Sequence, residues 1–346
     1  MKKLGNYYLK SLLYKENQHF YYDAAFEKGD GKYVIKCREK DDQSYDDVAQ
    51  LEHEYSLLTK LNKKFEHFLK VFEFVDTEEY SGIVFENENL ITLWDTYDKN
   101  NVILKKFFPL AISLVHAVNE IHSLNIIHKN LHPGCIFYSP AENKVKVGDF
   151  SISTKLKRTM VPITPPNQIQ GSFEYIAPEQ TGRMNRPLTL RTDLYSLGII
   201  FYEMLTGSVP YKSDEPMNVI FAHIANDPIP PHKINDSIPV VLSDIIMKLI
   251  SKMSEDRYKS AIGLKNDLEE AWSQYQKKKN ISTFPIGERD TPTQLELPQK
   301  LYGRDEEIRL LGISFNRLLK TSEAGLIVVK GHSGIGKTSL IRELIQ

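Results

Sequence analysis

The chain has 346 residues, of which 41% are hydrophobic and 26% are charged, as in a folded globular protein. This length exceeds one ordinary compact domain and indicates a two-lobed domain with a smaller additional piece. The 44 Lys and Arg residues nearly balance the 45 Asp and Glu residues, so a net charge of −1 provides no basic field for nucleic acid or an acidic membrane, and we expect neither as a partner.

The first hundred residues predict a small β-rich lobe that contains one helix. The runs YYLKSLLY and HFYYDAAF alternate aromatic and other residues, as half-buried strands do. A turn signal, Gly29-Asp30-Gly31, joins the second run to KYVIKC at 32 to 37 and predicts a hairpin.

A helix and two further strands are predicted next. In the segment 44 to 61, Val48, Leu51 and Leu58 recur at helical spacing. The short apolar runs FLKVFEFV and SGIVFEN that follow are typical of strands.

From residue 103 the pattern becomes helical and predicts a mostly α second lobe. Apolar residues cover most of the circumference of the segment 103 to 124, which indicates deep burial. Further helices are predicted near 190 to 205, 215 to 225, 239 to 253 and 260 to 275.

The composition changes past Trp272. A stretch rich in Lys, Thr and Pro predicts a linker over 276 to 300. A periodic helix at 305 to 320, an apolar strand at 326 to 329 and a glycine-rich loop then predict the start of a separate α/β domain at 301 to 346.

The glycine-rich loop GHSGIGKT fits the P-loop pattern G-x-x-x-x-G-K-[ST] between a predicted strand and a predicted helix. In such a loop the backbone N–H groups wrap a phosphate, the lysine reaches the outer phosphates and the hydroxyl can bind Mg²⁺. No acidic strand follows before Gln346, so we do not expect this segment alone to hydrolyse ATP. The candidate nucleotide-binding residues are Gly331, Gly334, Gly336, Lys337 and Thr338, with Thr338 as a metal ligand.

Several short motifs occur in a consistent order before residue 275. Val34-Ile35-Lys36 resembles the V-A-I-K strand of protein kinases, and Glu54 stands where its partner on the next helix would be. The segment IIHKNLHPGC at 126 to 135 resembles the catalytic loop H-R-D-L-x-x-x-N, and Asp149-Phe150-Ser151 resembles D-F-G.

Three later motifs continue the order. Ala177-Pro178-Glu179 matches A-P-E, and the segment 193 to 198 resembles the D-x-x-S-L-G that opens the central helix of the large lobe. Arg257 falls where such kinases place an arginine that pairs with the A-P-E glutamate, here Glu179.

The chain therefore resembles the eukaryotic-type serine/threonine protein kinase fold over about residues 7 to 275. This resemblance implies an α+β, bilobal domain at 1 to 275, with a β-rich small lobe at about 1 to 90 and an α-helical large lobe at about 91 to 275. The segments EYIAPEQTGRMNR, RTDLYSLGIIFYEMLTGSVPY and DRYKSAIGLKNDLEE, and the boundary LPQKLYGRDEEI before the glycine-rich loop, also resemble the front of large bacterial-type multidomain sensor proteins. In that family a kinase-like domain precedes an AAA-type P-loop ATPase domain, GAF or PAS modules and often a histidine kinase. This second resemblance implies that 301 to 346 is the N-terminal piece of such an ATPase domain, truncated within it.

The resemblance implies ATP and Mg²⁺ as cofactors, with Lys36, Glu54 and Asp149 as nucleotide-binding residues and Asp149 as a metal ligand. Four departures make these sites weak or incomplete. Asn130 replaces the catalytic Asp, His132 replaces the loop Lys, Cys135 offers sulfur where Mg²⁺ prefers oxygen, and 15 to 19 contains no glycine to cover phosphates. Ser151 in place of glycine is also expected to restrict the backbone at that hinge.

Three hypotheses follow. The first is a pseudokinase with a regulatory or scaffolding role, which binds ATP weakly and acts on its downstream domains or a signalling protein partner. The second is an active ATP-dependent serine/threonine kinase with an atypical catalytic loop. The third is a nucleotide-dependent switch that works mainly through Lys337.

The remaining signals concern the compartment. Two cysteines, Cys37 and Cys135, are too few for a disulfide framework and indicate a reducing environment. Lys10 and Lys15 interrupt the N-terminal segment, so no signal peptide is predicted, and no apolar run reaches 18 residues. We expect a cytoplasmic protein with no membrane segment in this sequence.

Overall fold

A computed structural model of the chain gives the architecture. The structure describes residues 3–16, 19–27, 31–40, 45–96, 103–139, 142, 144–156, 169–184, 186–292, 303–321, 325–332, 335–337 and 340–341.

The first part of the chain forms one antiparallel sheet with a helix against it. The sheet has the strand order β1-β2-β3-β4-β6-β5, and all neighbouring strands are antiparallel. The elements are β1 (Lys3–Leu4), β2 (Tyr7–Glu16), β3 (His19–Phe26), β4 (Lys32–Glu39), α1 (Tyr45–Asn62), β5 (Val71–Asp76) and β6 (Tyr80–Glu86). The predicted hairpin is present as β3 and β4, and the helix predicted at 44 to 61 is α1.

The two faces of β4 have different neighbours. Ile35 and Cys37 are fully buried in an apolar cluster with residues of β1, β2 and β3, such as Leu4 and Tyr7. Because side chains alternate across a strand, Lys36 lies on the opposite face, toward α1. The apolar residues Leu51 and Leu58 of α1 belong to the main core on that side.

The second part of the chain is mostly helical. Its helices are α2 (Leu93–Thr96), α3 (Leu104–Ser123), α4 (Arg191–Thr206), α5 (Pro216–Ala225), α6 (Pro231–Ile234), α7 (Val240–Leu249) and α8 (Ala261–Lys278), and its short strands are β7 (Ile91–Thr92), β8 (Ile126–Ile127), β9 (Ile136–Ser139), β10 (Lys144–Val147) and β11 (Thr154–Lys155). The main core runs through α3, α4, α7 and α8 and continues to α1, so one apolar cluster supports both lobes. Each helix predicted in this region is present within a few residues of its predicted bounds.

The segment predicted as a linker begins as part of the folded large lobe. Helix α8 extends to Lys278, and Ile281 is buried in the main core. Asp290, 7% exposed, accepts hydrogen bonds from the backbone N–H groups of Lys259 (2.6 Å) and Ser260 (3.1 Å). The structure thus differs from the prediction over 276–292, because the sequence there is polar in composition yet contributes both core and capping contacts. Residues 293–300 lie outside the described residues.

The last described part contains α9 (Asp305–Thr321), which confirms the helix predicted at 305 to 320. The strand predicted at 326 to 329 is wrong, since residues 325–330 belong to no strand and Leu326 is 90% exposed. A strand requires a hydrogen-bonded neighbour, and the described residues supply none for this segment. Within the described part of the chain, no helix combines the length and apolarity needed to cross a membrane.

Candidate active site

Lys36 and Glu54 form a buried ion pair between β4 and α1. The Lys36 Nζ atom lies 2.7 Å from Glu54 Oε2, and both side chains are 1% exposed. Glu54 lies on the same side of α1 as Leu51 and Leu58, so burying the apolar stripe also buries this carboxylate against the sheet. Burial raises the pKa of Glu54, and the Lys36 ammonium opposes that change. The pairing expected from the sequence is present, while its part in nucleotide binding stays a prediction.

Asp149 joins the same cluster from the loop after β10. Its Oδ1 atom accepts hydrogen bonds from Lys36 Nζ at 2.7 Å and Ser151 Oγ at 2.9 Å. Its Oδ2 atom accepts one from Asn130 Nδ2 at 2.5 Å. Burial alone would raise the pKa of Asp149, but the nearby Lys36 ammonium holds it well below its ordinary value. Asp149 is therefore ionised, and both of its oxygens already accept hydrogen bonds from the protein.

Asn130 is held from both ends of its amide. Its Nδ2 atom donates to Asp149, and its Oδ1 atom accepts from the backbone N–H of Ser172 at 2.9 Å. An amide can do both at once because it carries a donor and an acceptor, whereas an ionised carboxylate only accepts. Asn130 is 9% exposed and thus ties the catalytic loop to two other segments.

The catalytic loop itself is anchored on α4. The Asp193 carboxylate, which is fully buried, accepts hydrogen bonds from the backbone N–H groups of His128 and Lys129, each at 2.9 Å. The His128 Nε2 atom lies 2.9 Å from the Gly148 carbonyl oxygen. These contacts fix the loop relative to the segment that carries Asp149, so the closeness of Asn130 and Asp149 follows from the fold.

His132 is buried within the loop rather than directed outward as a cation. It is 1% exposed, and its Nδ1 atom accepts a hydrogen bond from the Gly134 N–H at 3.2 Å. Burial lowers the pKa of His132 to about 4, so the imidazole is neutral at neutral pH. The protein kinases that the sequence resembles have a permanently charged lysine at this position. His132 contributes no positive charge there.

Cys135 also turns toward the loop. Its Sγ atom, in a side chain 2% exposed, lies 3.1 Å from the His132 carbonyl oxygen and 3.4 Å from the Asn130 carbonyl oxygen. The thiol acts as a weak donor that holds the loop together.

Ser151 corrects one expectation from the sequence. In this loop the positive φ occurs at Asp149, at 57°, and Ser151 is not among the residues with positive φ. Serine therefore adopts its backbone conformation without the cost expected for a residue that replaces a left-handed glycine. Its hydroxyl instead donates to Asp149 Oδ1.

Two aromatic side chains near Lys36 were missed by sequence reasoning. Tyr21 pairs directly with Lys36 across β3 and β4, and the Lys36 Nζ atom lies 5.8 Å from the centre of its ring. His19, two residues earlier, lies on the same face of β3. Burial and the Lys36 charge lower the pKa of His19 to about 4, and its buried Nε2 atom has no hydrogen-bond partner among the described residues. Strand alternation predicts that Tyr21 and His19 share one face of β3, but the sequence does not display the register that brings this face to Lys36.

The P-loop segment is described only in part. Gly334 and Thr338 lie outside the described residues. Lys337 Nζ donates to the carbonyl oxygens of Gly331 and His332, each at 2.7 Å. Gly336 has φ 91°, a conformation that favours glycine, and a helical hydrogen bond follows from Leu340 N–H to its carbonyl oxygen at 3.0 Å. These features are compatible with a phosphate-binding loop, which stays a prediction.

Comparison with known proteins addresses the family. The sequence matches the family model described as protein kinase domain over residues 22–273. A probable serine/threonine-protein kinase of Clostridium perfringens is 31% identical over 271 residues, which cover 78% of this chain and 38% of that protein. Serine/threonine-protein kinase PknB of Mycobacterium tuberculosis is 32% identical over 187 residues, covering 54% of this chain and 29% of that protein.

A further relative is named as a histidine kinase and not as a serine/threonine kinase. The hybrid signal transduction histidine kinase G of Dictyostelium discoideum is 34% identical over 192 residues, covering 50% of this chain and 6% of that protein. The chain thus spans less than two fifths of the length of each of these relatives.

Proposed function

The chain belongs to the protein kinase domain family, whose members generally use ATP and Mg²⁺, and on that premise we propose that its kinase domain is a pseudokinase with a regulatory or partner-binding role. The observation that carries this proposal is the direct hydrogen bond from the Asn130 amide to Asp149. It occupies a carboxylate oxygen that a metal ion would need, and it comes from the residue that stands in place of the catalytic base.

The first support is the chemistry of the amide. A protein kinase needs a group that orients the substrate hydroxyl and takes its proton, and an amide is essentially non-basic. Loss of general-base assistance typically costs about 10² to 10⁴-fold in rate. Asn130 also cannot move toward a substrate without giving up its bonds to Asp149 and Ser172.

The second support is the donor set for a metal ion. Mg²⁺ prefers several oxygen ligands in near-octahedral geometry. At this cleft Asp149 offers oxygens that already accept three hydrogen bonds, and Cys135 offers a sulfur atom directed at backbone carbonyls. These residues do not fit the two-metal arrangement that kinases use for phosphoryl transfer.

The third support concerns positive charge and access for phosphates. The neutral His132 supplies no cation to the transferred phosphoryl group, and His19 brings a half-buried ring to the strand segment where a glycine loop would cover the phosphates. Lys36 remains charged but is shared between two carboxylates. We therefore infer that ATP binds weakly at this cleft, through Lys36 and with Glu54 and Asp149 as its supports.

The P-loop segment adds a second nucleotide-binding element to the proposal. We infer that residues 301 to 346 begin an AAA-type ATPase domain and that the kinase domain regulates it or a signalling partner. The glycine-rich loop with Lys337 supports this reading, as does the name of the Dictyostelium relative, a hybrid signal transduction histidine kinase of which the matched region is 6%. Thr338 and Gly334 remain candidate ligands from the sequence alone.

An active serine/threonine kinase is the second candidate. The Lys36, Glu54 and Asp149 cluster is intact, and two relatives are named serine/threonine-protein kinases. In this reading, positioning of the substrate hydroxyl and an Asp149-bound metal ion would supply the rate without a base.

A phosphotransfer assay separates the two candidates. The full chain is incubated with radiolabelled ATP, Mg²⁺ and a generic protein acceptor, beside the Asp149→Ala variant and a variant that combines Asn130→Asp, His132→Lys and Cys135→Asn. We expect no transfer by the chain above the level of Asp149→Ala. Transfer that Asp149→Ala abolishes and that Lys337→Ala leaves intact would establish the active kinase instead. The triple variant shows whether restoring the three groups is sufficient for activity.

A further inference from the structure

Two histidines and one glutamate meet outside the candidate active site. His116 and Glu120 lie four residues apart on α3, so they share one face of that helix. His67 reaches the same point from the connection between α1 and β5. The three side chains therefore come from both lobes.

Their donor atoms converge on one carboxylate oxygen. Glu120 Oε1 lies 3.1 Å from His67 Nδ1 and 3.4 Å from His116 Nδ1. One ligand atom from each residue can be chosen so that all three lie within 4.8 Å of one another. In a tetrahedral zinc site, bonds of about 2.0–2.2 Å place neighbouring ligand atoms about 3.3–3.6 Å apart. The two measured distances to Glu120 are close to such an edge.

One of these donor atoms is buried without a hydrogen bond. The His116 Nδ1 atom is buried although its side chain is 42% exposed, and it has no hydrogen-bond partner among the described residues.

The backbone holds the third ligand in place. The His67 carbonyl oxygen accepts a hydrogen bond from the Val147 N–H at 2.8 Å, and Phe68 forms an isolated parallel bridge with Val147. The His67 and His116 rings lie 4.7 Å apart with an interplanar angle of 47°. The site is thus assembled by packed elements and requires little rearrangement.

We propose that His67, His116 and Glu120 form a Zn²⁺ site, with water as the fourth ligand, that ties the α1–β5 connection of the small lobe to α3 of the large lobe. Two imidazoles and a carboxylate around an open position are a ligand set that zinc prefers. The proposal is independent of phosphotransfer, since none of the three residues contacts Lys36, Asn130 or Asp149 in the described structure.

The test is a calorimetric Zn²⁺ titration of the untagged full chain after treatment with a chelator. The variants are His67→Ala and His116→Ala, and the matched control is His232→Ala, which removes a partly exposed histidine bonded to Ser243 elsewhere in the large lobe. We expect one Zn²⁺ per chain in the parent and in the control. Loss of an outer-shell partner already weakens metal binding by about 10–100-fold, so removal of a ligand should weaken it by at least about 100-fold.

Cobalt provides a second readout, which reports the coordination geometry of the bound ion. Co²⁺ bound in place of Zn²⁺ should give the strong visible absorption of a four-coordinate ion in the parent chain and lose it in His116→Ala. Circular dichroism of His116→Ala checks that the fold persists, as expected for a half-exposed helical position. The proposal is overturned if the parent binds no Zn²⁺, if both histidine variants bind it as the parent does, or if the cobalt spectrum is that of a six-coordinate ion.

Discussion

Asn130 and Asp149 meet as an amide and a carboxylate, 2.5 Å apart between Nδ2 and Oδ2. Two ionised carboxylates at that separation would repel each other, and one of them would have to take up a proton. The substitution at position 130 therefore does more than remove a base. It supplies a donor that links the catalytic loop directly to the Asp149 segment.

Asn130→Asp is expected to destabilise the chain in the absence of Mg²⁺. The change removes the donor to Asp149 and places a second acceptor against it, which should cost about 1–3 kcal/mol in the free energy of unfolding. Denaturant unfolding measures the loss. Asn235→Asp is the matched control, because Asn235 uses its Oδ1 atom to accept hydrogen bonds from Ser237 and an Asp can do the same. Equal stability of the two variants would contradict this account of the closed loop.

At the scale of elements, the A-P-E segment and the end of the large lobe are joined by one buried ion pair. Arg257 donates two hydrogen bonds to the two oxygens of Glu179, at 2.8 and 2.9 Å, and both side chains are nearly fully buried. The remaining Arg257 donors bond backbone carbonyls, such as that of Ser251. Burial would raise the pKa of Glu179, and the Arg257 charge lowers it, so the pair is ionised.

Arg257→Ala should lower the free energy of unfolding by about 3–5 kcal/mol, because it leaves the Glu179 carboxylate buried without its counter-charge. Thermal or denaturant unfolding checks this value. Lys265→Ala provides the comparison, since Lys265 pairs with Glu269 at 3.6 Å in a partly exposed position and its loss should change stability by less than about 1 kcal/mol. Similar losses of stability in both variants would show that the buried ion pair contributes no more to the free energy of unfolding than the partly exposed pair does.

Apolar periodicity was sufficient for α1, α3 and the β3–β4 hairpin, since each buries one continuous apolar face. The Lys36 and Glu54 pair was predictable because strand alternation and the helical stripe place both at the same interface. Motif order placed Asn130 and Asp149 in one site, but it could not show their hydrogen bond.

Three features of the structure could not be predicted from the sequence, for physical reasons. The role of His19 depends on which face of β3 meets Lys36, a register that the sequence does not display. The stretch 276 to 300 is predicted as a linker because its composition is polar, yet within its described part Ile281 and Asp290 are buried and make packing and capping contacts. The apolar run at 326 to 329 has strand composition, but composition cannot supply the neighbouring strand that its hydrogen bonds require.

At the scale of the whole molecule, buried histidines make the fold sensitive to acid. Burial lowers the pKa of His223 to about 3 and that of His132 to about 4, and both side chains are at most 1% exposed. An unfolded histidine takes up a proton below about pH 6.5. Between pH 6.5 and 4 the unfolded chain thus binds more protons, and stability falls as the pH falls through this window.

His223→Gln should reduce that dependence. Each histidine with a strongly lowered pKa costs about 2 kcal/mol at pH 5 relative to neutral pH, so the variant should lose correspondingly less stability between pH 7 and pH 5. Unfolding curves at several pH values measure the slope. Tyr195→Phe removes the hydroxyl that lies 2.8 Å from the His223 ring but keeps the imidazole, so it should retain the parent slope. If stability depends on pH in His223→Gln as it does in the parent chain, the acid sensitivity comes from other groups.

The position of Asp290 affects how the domain can be isolated. Its carboxylate accepts hydrogen bonds from the backbone N–H groups of Lys259 and Ser260, which directly precede α8, and the Cβ of any residue other than glycine at 263 would collide with it. A recombinant polypeptide stopped at residue 273, where the family match ends, would lose this cap, the end of α8 and the buried Ile281 together. A piece with a complete large lobe therefore extends at least to Asp290, within a stretch that its polar composition alone would assign to a linker.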